Sequence, residues 1–438
     1  MKKFLIVSKY LVSKYLKIFQ YLTFFVLPLM TNSCTKAETQ IAKYNKVVLG
    51  VDKLIESKFE PIRGKKVGLF TNFSGRTSEG LLSAEILANS NIIALEYIFT
   101  PEHGFFGESH AGEKVENAEV FGVQVISLYG SSRRPNIEIL KKLDVVLVDI
   151  QDVGIRSYTF LSSVNYMLAA CAEAGVPAII LDRPNPIGGN VVDGSVTEKG
   201  AESFMSLIPV SYVHGLTLGE ISIMMNREGW LRNTKNEVVK CNLSVIKMDG
   251  WRRSMRWEDC NLLWFPTSPQ IPTSEAIYGA ATLGIWGELS IWNIGIGTSL
   301  PFQYIGRPDL DKEAIFNEIK KFSANNEILL QLAHFKPFYG KFAKEDCRGF
   351  IFRFPKSDSY QPYTLGVKTI LAIRKVHPEL FRIDSIAKDR QAMFKKVTGG
   401  SALLDVMFNG KSDREVIAIA QKGLNDFSEL RKKYFLYK

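Results

Sequence analysis

The sequence predicts an α/β protein, a Rossmann-like doubly wound and mainly parallel sheet followed by a smaller C-terminal α+β domain. Two features predict it. Short apolar runs without polar alternation recur between segments of helical spacing, which is the pattern of strands covered on both faces and joined by helices. Polar residues also bunch directly after three of those runs, where the loops of such a sheet converge.

In chain order, Val67 to Thr71 reads as a buried strand, Gly80 to Ala88 as a helix and Ile92 to Thr100 as a second strand. The alternation continues with a strand at Val123 to Tyr129, a helix at Ile137 to Lys142, a strand at Asp144 to Ile150, a helix at Tyr158 to Ala174 and a strand at Val176 to Asp182. A helix at Leu218 to Glu228, a strand at Leu243 to Met248 and the glycine-rich Gly295-Ile296-Gly297-Thr298 complete the first domain, residues 46–300. The auxiliary domain, 301–438, carries helical spacing at Asp311 to Phe322, Leu365 to His377 and Ser412 to Lys432. There is no internal repeat.

The 438 residues, 46% hydrophobic and 23% charged, supply enough apolar mass for two cores. The net charge of +10 would suggest nucleic acid, but five lysines and no acid precede Cys34, and the remaining +5 is spread without a basic run. Nucleic acid is therefore not an expected partner. The first 33 residues have the form of a signal peptide: a basic start, an apolar stretch around Phe24, Phe25, Val26 and Leu27, and small polar residues before Cys34. That stretch is shorter than the roughly 20 residues needed to span a bilayer. Thr31-Asn32-Ser33-Cys34 matches a loose lipoprotein box, so the expectation is an exported, periplasmic protein held to a membrane by a lipid on Cys34, with residues 34–45 as a tether. Cys171, Cys241, Cys260 and Cys347 are too far apart to form a zinc motif, and the apolar surroundings of Cys171 predict a buried free thiol.

The candidate chemistry lies at strand ends. Pro101-Glu102-His103-Gly104 follows one strand, Gln151-Asp152-Val153-Gly154 another, and Asp182-Arg183-Pro184-Asn185-Pro186 a third. Cleaving a glycosidic bond takes one carboxylic acid to protonate the leaving oxygen and a second carboxylate to act as nucleophile or base. Glu102 suits the first role. For the second the sequence offers Glu113, Asp149, Asp152 and Glu288 without deciding among them, and Asp152 serves equally well as a helix cap. Arg156 and Arg183 have the planar fork that grips carboxylates, or they pair with Asp152 and Asp182. Tyr158 either stacks on a sugar or belongs to the core. No ligand spacing favours a metal, the Gly295 segment lacks the lysine of a phosphate loop, and no Gly-x-Ser-x-Gly elbow is present. No cofactor is expected.

Thr71-Asn72-Phe73-Ser74-Gly75, Pro101-Glu102-His103-Gly104-Phe105, Asp149 through Thr159, Asp182-Arg183-Pro184-Asn185-Pro186 and Gly287-Glu288-Leu289-Ser290 stand in the order seen in the NamZ-type exo-β-N-acetylmuramidases, which this sequence resembles over nearly all of the chain after the tether. The resemblance implies a Rossmann-like domain with a smaller C-terminal one, and release of N-acetylmuramic acid from the non-reducing end of peptidoglycan fragments, MurNAc-GlcNAc saccharides. On that reading Glu102, Glu113 and Asp152 are catalytic candidates. Asn72, His103, Asp149, Gln151, Arg156, Tyr158, Asp182, Arg183, Asn185 and Glu288 are candidates for binding the sugar. The sequence departs from the pattern at Ile296, where another form of the segment carries arginine before the second glycine. A noncatalytic cell-wall-binding lipoprotein and a metal-dependent hydrolase are the alternatives.

Overall fold

Seven strands form the main sheet, in the order β3-β4-β2-β1-β5-β6-β7. They are β1 (Lys66–Thr71), β2 (Ala94–Thr100), β3 (Ala118–Val120), β4 (Val123–Ser127), β5 (Val145–Asp149), β6 (Ala178–Leu181) and β7 (Leu243–Ile246). All neighbours pair in parallel except β3, which runs antiparallel to β4 at the edge. β5 and β6 are buried along their whole length and β1 at every residue but Lys66. Unbroken apolar runs such as Val145-Val146-Leu147-Val148 are what strands covered on both faces require. The computed structural model describes residues 46–110, 112–130, 132–322, 329–354, 356 and 359–438. The expected signal peptide and tether lie outside the described residues.

From β1 the chain first builds outward through β2 and β4, then returns to the other side of β1 to lay down β5, β6 and β7. Strand order thus reverses between β1 and β5, and a crevice opens beyond their carboxyl ends. The helix Phe160–Ala174 covers one face of this region, with Phe160, Val164, Met167 and Leu168 fully buried against Phe70, Val146 and Ile180. Cys171, also fully buried, is a free thiol in this layer.

A second sheet of three antiparallel strands, in the order β8-β10-β9, is made of β8 (Tyr304–Arg307), β9 (Leu329–Phe335) and β10 (Cys347–Arg353). Its buried face, through Ile305, Phe350 and Phe352, joins an apolar core that runs from Val153 and Val213 to Trp286, Ile370 and Val416. Two helices in this core, Ser274–Gly287 and Pro362–Val376, cross at closest approach where Gly366 meets Thr282. The helix expected at Ser412 to Lys432 is divided into Asp413–Ala420, Leu424–Leu430 and a 3-10 turn at Arg431–Tyr434. Gly423, at φ 79°, breaks it, and Val196 N–H takes the freed Lys422 carbonyl at 3.0 Å. Among the described residues no helix is long and apolar enough to cross a membrane.

A Cβ on Gly366 would lie 1.9 Å from the Thr282 carbonyl oxygen, a backbone atom that cannot swing aside. Gly366→Ala is therefore expected to force the two helices apart and to lower the unfolding free energy by about 1–3 kcal/mol. Urea unfolding checks this, and an unchanged midpoint would contradict the close crossing.

Candidate active site

The floor of the crevice is covalently simple and tightly fastened. At the end of β1, Thr71 Oγ1 donates to the Asp149 carbonyl at the end of β5, 2.7 Å away. Gly75 passes so close that a Cβ there would sit 2.7 Å from the same carbonyl oxygen. This close approach lets Asn72, Ser74 and Gln151 share one small volume. Asn72 Oδ1 accepts from the Ser74 amide and hydroxyl (2.9 and 2.6 Å), and Gln151 Nε2 donates to the Asp152 and Pro184 carbonyls (2.7 and 2.8 Å). Asn72 Nδ2 and Gln151 Oε1 are buried and have no protein partner. A donor and an acceptor left open are groups that a polyhydroxylated ligand satisfies.

Beneath them lies an ion pair. Asp149 is fully buried, and burial raises its pKa while the Arg183 guanidinium, 2.6 Å away, lowers it. Arg183 also donates to the Arg76 carbonyl at 2.7 Å. Arg183 and Gln151 reach the wall of a narrow cleft, shared with Ser74, Arg76, Trp257 and Trp264. The Arg76 guanidinium is held between the rings of Phe73 and Phe265, 4.1 and 4.4 Å from their centroids.

Glu102 enters from the end of β2. After Pro101 the backbone takes two successive left-handed residues, His103 (φ 76°) and Gly104 (φ 77°). A non-glycine residue in that region is strained and persists only where its surroundings hold it. Here His103 Nδ1 pairs with the Ser109 carbonyl at 2.8 Å, and Ser109 N–H returns a bond to the His103 carbonyl at 3.2 Å. The turn buries the Glu102 side chain. Its Oε1 accepts from Gly112 N–H at 2.9 Å and its Oε2 from the Thr159 hydroxyl at 2.5 Å, at the start of the helix Phe160–Ala174. Burial, and then the neighbouring Glu102 carboxylate, push the Tyr129 phenol up to about 12.

Asp152 comes from the loop after β5. Its Oδ2 accepts from Gly154 N–H at 2.8 Å and lies 3.4 Å from His214 Nε2, while its Oδ1 is buried with no protein partner. Burial raises the pKa of Tyr158, and the charges of Asp152 and of Glu102 both add to the rise. The Tyr158 hydroxyl donates to Thr267 Oγ1 at 2.7 Å, and its ring packs edge-on to Phe160.

The other residues singled out in the sequence stand elsewhere. Glu113 is exposed on the loop that follows Gly112, and its carboxylate accepts from His110 N–H at 2.8 Å. Glu288 caps the far end of the helix Ser274–Gly287, where burial raises its pKa and Arg390 lowers it. Arg156 does not point to a ligand: it donates to the carbonyls of Ser195, Val210 and Thr398 at 2.6, 2.7 and 2.6 Å. Asp182 is fully buried and raised to about 6 by that burial, and it accepts from Tyr437, Thr217 and Gly219 at 2.6–2.8 Å. Asn185 braces its own turn, accepting from Ile187 N–H and donating to the Leu216 carbonyl. Sequence reasoning missed Tyr129, Thr159 and His214. Thr159 stood inside a quoted motif, but nothing local pointed to the other two. Among the described residues no group of three or more His, Cys, Asp or Glu side chains is placed to hold a metal ion.

Arg156→Met would strip the donor from three buried carbonyls that join distant segments. It is expected to cost about 3 kcal/mol or more of stability, measured by urea unfolding; an unchanged midpoint would return Arg156 to the list of ligand contacts.

Two family models match successive parts of the chain: exo-beta-N-acetylmuramidase NamZ, N-terminal, over residues 67–275, and its C-terminal counterpart over 281–437. The peptidoglycan beta-N-acetylmuramidase NamZ of Bacillus subtilis (strain 168) is 33% identical over 403 residues, 92% of this chain and 94% of that protein. Two crystal structures of DUF1343 family proteins from Bacteroides fragilis NCTC 9343 share the fold. One superposes with a TM-score of 0.82 at 32% identity, the other with 0.67 at 26%, and each pairing covers 90% of this chain and 99% of the other.

Proposed function

Because this chain belongs to the exo-β-N-acetylmuramidase NamZ family, matched over both its N-terminal and C-terminal parts, we propose the residues by which it works as a glycoside hydrolase on peptidoglycan. The substrate is a MurNAc-GlcNAc saccharide, cut so that N-acetylmuramic acid leaves from the non-reducing end. Glu102 is the general acid, and Asp152 is the second carboxylate, acting on the anomeric side as nucleophile or base. One observation carries this assignment: two buried carboxyl groups stand in the loops that leave β2 and β5, each with one oxygen held by a backbone amide.

Other groups fit the sugar. Asn72 Nδ2 and Gln151 Oε1 supply an open donor and acceptor for hydroxyl or acetamido groups. Arg76 and Arg183 line the adjoining cleft and suit the lactyl carboxylate that distinguishes muramic acid from its neighbours. Asp149 supports them by holding Arg183 in place.

Glu102→Gln is expected to slow release of muramic acid from the disaccharide by about 10²–10⁴-fold, and to slow cleavage of an aryl muramide, whose leaving group needs no proton, far less. Undiminished turnover of the disaccharide would exclude Glu102 as the acid. Asp152→Asn is expected to slow both substrates alike.

The leader and Cys34 further support an exported protein with a lipid anchor in the periplasm. Cys34→Ala should then move the protein from the detergent phase to the aqueous phase on Triton X-114 partition. Equal partition of both forms would discard the anchor.

A further inference from the structure

We propose that His214 is a positioning residue that aims the Asp152 carboxylate. The inference rests on the reading of Asp152 as the second carboxylate and adds the part that holds it.

The ring is fully buried and its tautomer follows from its neighbours. Leu216 N–H donates to His214 Nδ1 at 3.2 Å, so that nitrogen presents a lone pair and the proton of the neutral imidazole sits on Nε2. Nε2 makes no hydrogen bond within the protein, and Asp152 Oδ2 lies 3.4 Å from it. Asp152 Oδ2 therefore accepts the Gly154 amide at 2.8 Å and has the imidazole Nε2–H, itself without a hydrogen-bond partner, 3.4 Å away. The amide's hydrogen bond and the dipole of the nearby imidazole N–H both act on Oδ2, which leaves the second oxygen, Oδ1, to other partners. Oδ1 is the buried oxygen without a protein partner.

The backbone fixes His214 as firmly as it fixes Asp152. Residues 212–214 run antiparallel to 154–156: Arg156 N–H donates to the Tyr212 carbonyl at 2.8 Å, Ile155 and Val213 form a bridge, and His214 N–H reaches the Gly154 carbonyl at 3.4 Å. Just beyond, Thr217 opens the helix Leu218–Arg227 with a capping box to Glu220, and Asp182 accepts from Thr217 Oγ1. Asn185 Nδ2 holds the Leu216 carbonyl at 2.9 Å. Asp182 and Asn185 thus brace the segment that carries the imidazole. A carboxylate on a flexible loop would sample many orientations, whereas one held by a backbone amide beside a rigid imidazole is set before the substrate arrives.

The test compares His214→Phe, which keeps a ring but removes both nitrogens, with His214→Gln, whose amide can donate from near the Nε2 position. With the MurNAc-GlcNAc disaccharide, His214→Phe is expected to lower kcat by about 10²-fold with KM little changed, and His214→Gln to recover part of that loss. Adding Asp152→Asn to His214→Phe should cause little further loss beyond Asp152→Asn alone, because the two act as a unit. Nitrogen-15 spectra of the wild-type protein, assigned by the loss of one signal set in His214→Gln, should show Nε2 protonated and Nδ1 bare. Full kcat in His214→Phe beside an inactive Asp152→Asn would overturn the positioning role alone. Full activity in Asp152→Asn would overturn the underlying assignment of Asp152. Should His214→Phe not fold, a proton found on Nδ1, or a His214→Gln protein with kcat no better than Asp152→Asn, would count against the inference.

Discussion

Everything at the site depends on the reversal of strand order at β1. Because β2 lies on one side of this strand and β5 on the other, the loops leaving them diverge, and only there can side chains from distant parts of the sequence face a common space. The strands themselves are closed to chemistry, being buried on both faces. The fastening of Thr71 Oγ1 to the Asp149 carbonyl, with Gly75 packed against the same carbonyl, keeps the two strand ends at hydrogen-bonding range instead of letting the loops splay. Asn72, Ser74 and Gln151 then meet without any of them needing a long loop.

Buried charge is plentiful around this crevice, and its partners separate fasteners from working groups. Arg156 and Asp182 put their charge into bonds that tie segments more than two hundred residues apart, and the Glu220–Arg253 pair at 2.7 Å joins nearer ones. Removing one partner of such a set leaves the other buried and unsatisfied, which is why they stabilise a unique arrangement even though isolated ion pairs contribute little. Asp152 differs in how few bonds it makes, one oxygen accepting the Gly154 amide and the other having no partner in the protein. In a native interior an open acceptor of that kind is uncommon and needs a reason. A substrate atom supplies one.

Much of the fold was legible because parallel strands leave a strong trace. Val145-Val146-Leu147-Val148 and Ala178-Ile179-Ile180-Leu181 can be little else, and the turn residues after them mark where ligands gather. The helix Ser274–Gly287 left no such trace: being buried nearly all round, it has no polar face and hence no period to detect. The antiparallel strands β8 to β10 were hidden for a related reason, since Leu329, Leu332 and Phe335 break the alternation on their half-exposed faces. At the site, residue types and strand ends were readable but partners were not. The fork of Arg156 fits a sugar acid or a backbone carbonyl equally well, and only the fold decides that Thr398, 242 residues away, takes it. His214 went unseen for the same reason: its meaning lies in Asp152, which no local spacing connects to it.

Glu102 and Asp152 are held in different ways, and the difference suits different tasks. A general acid passes through two protonation states within each turnover, so its partners must accommodate both without moving it. The Gly112 amide can only donate, which confines it to Oε1 in either state. Thr159 is a hydroxyl. It donates to Oε2 when the carboxyl is ionised, and by rotating about its C–O bond it accepts when Oε2 carries the proton, with no heavy atom displaced. Asp152 has no such rotor at Oδ2, where both neighbours are N–H groups that only donate. Oδ1 is left to meet the developing positive charge on the sugar ring. The two carboxyl groups are thus made unequal by the chemistry of their partners, and a glycosidase needs that inequality more than it needs any particular pair of acids.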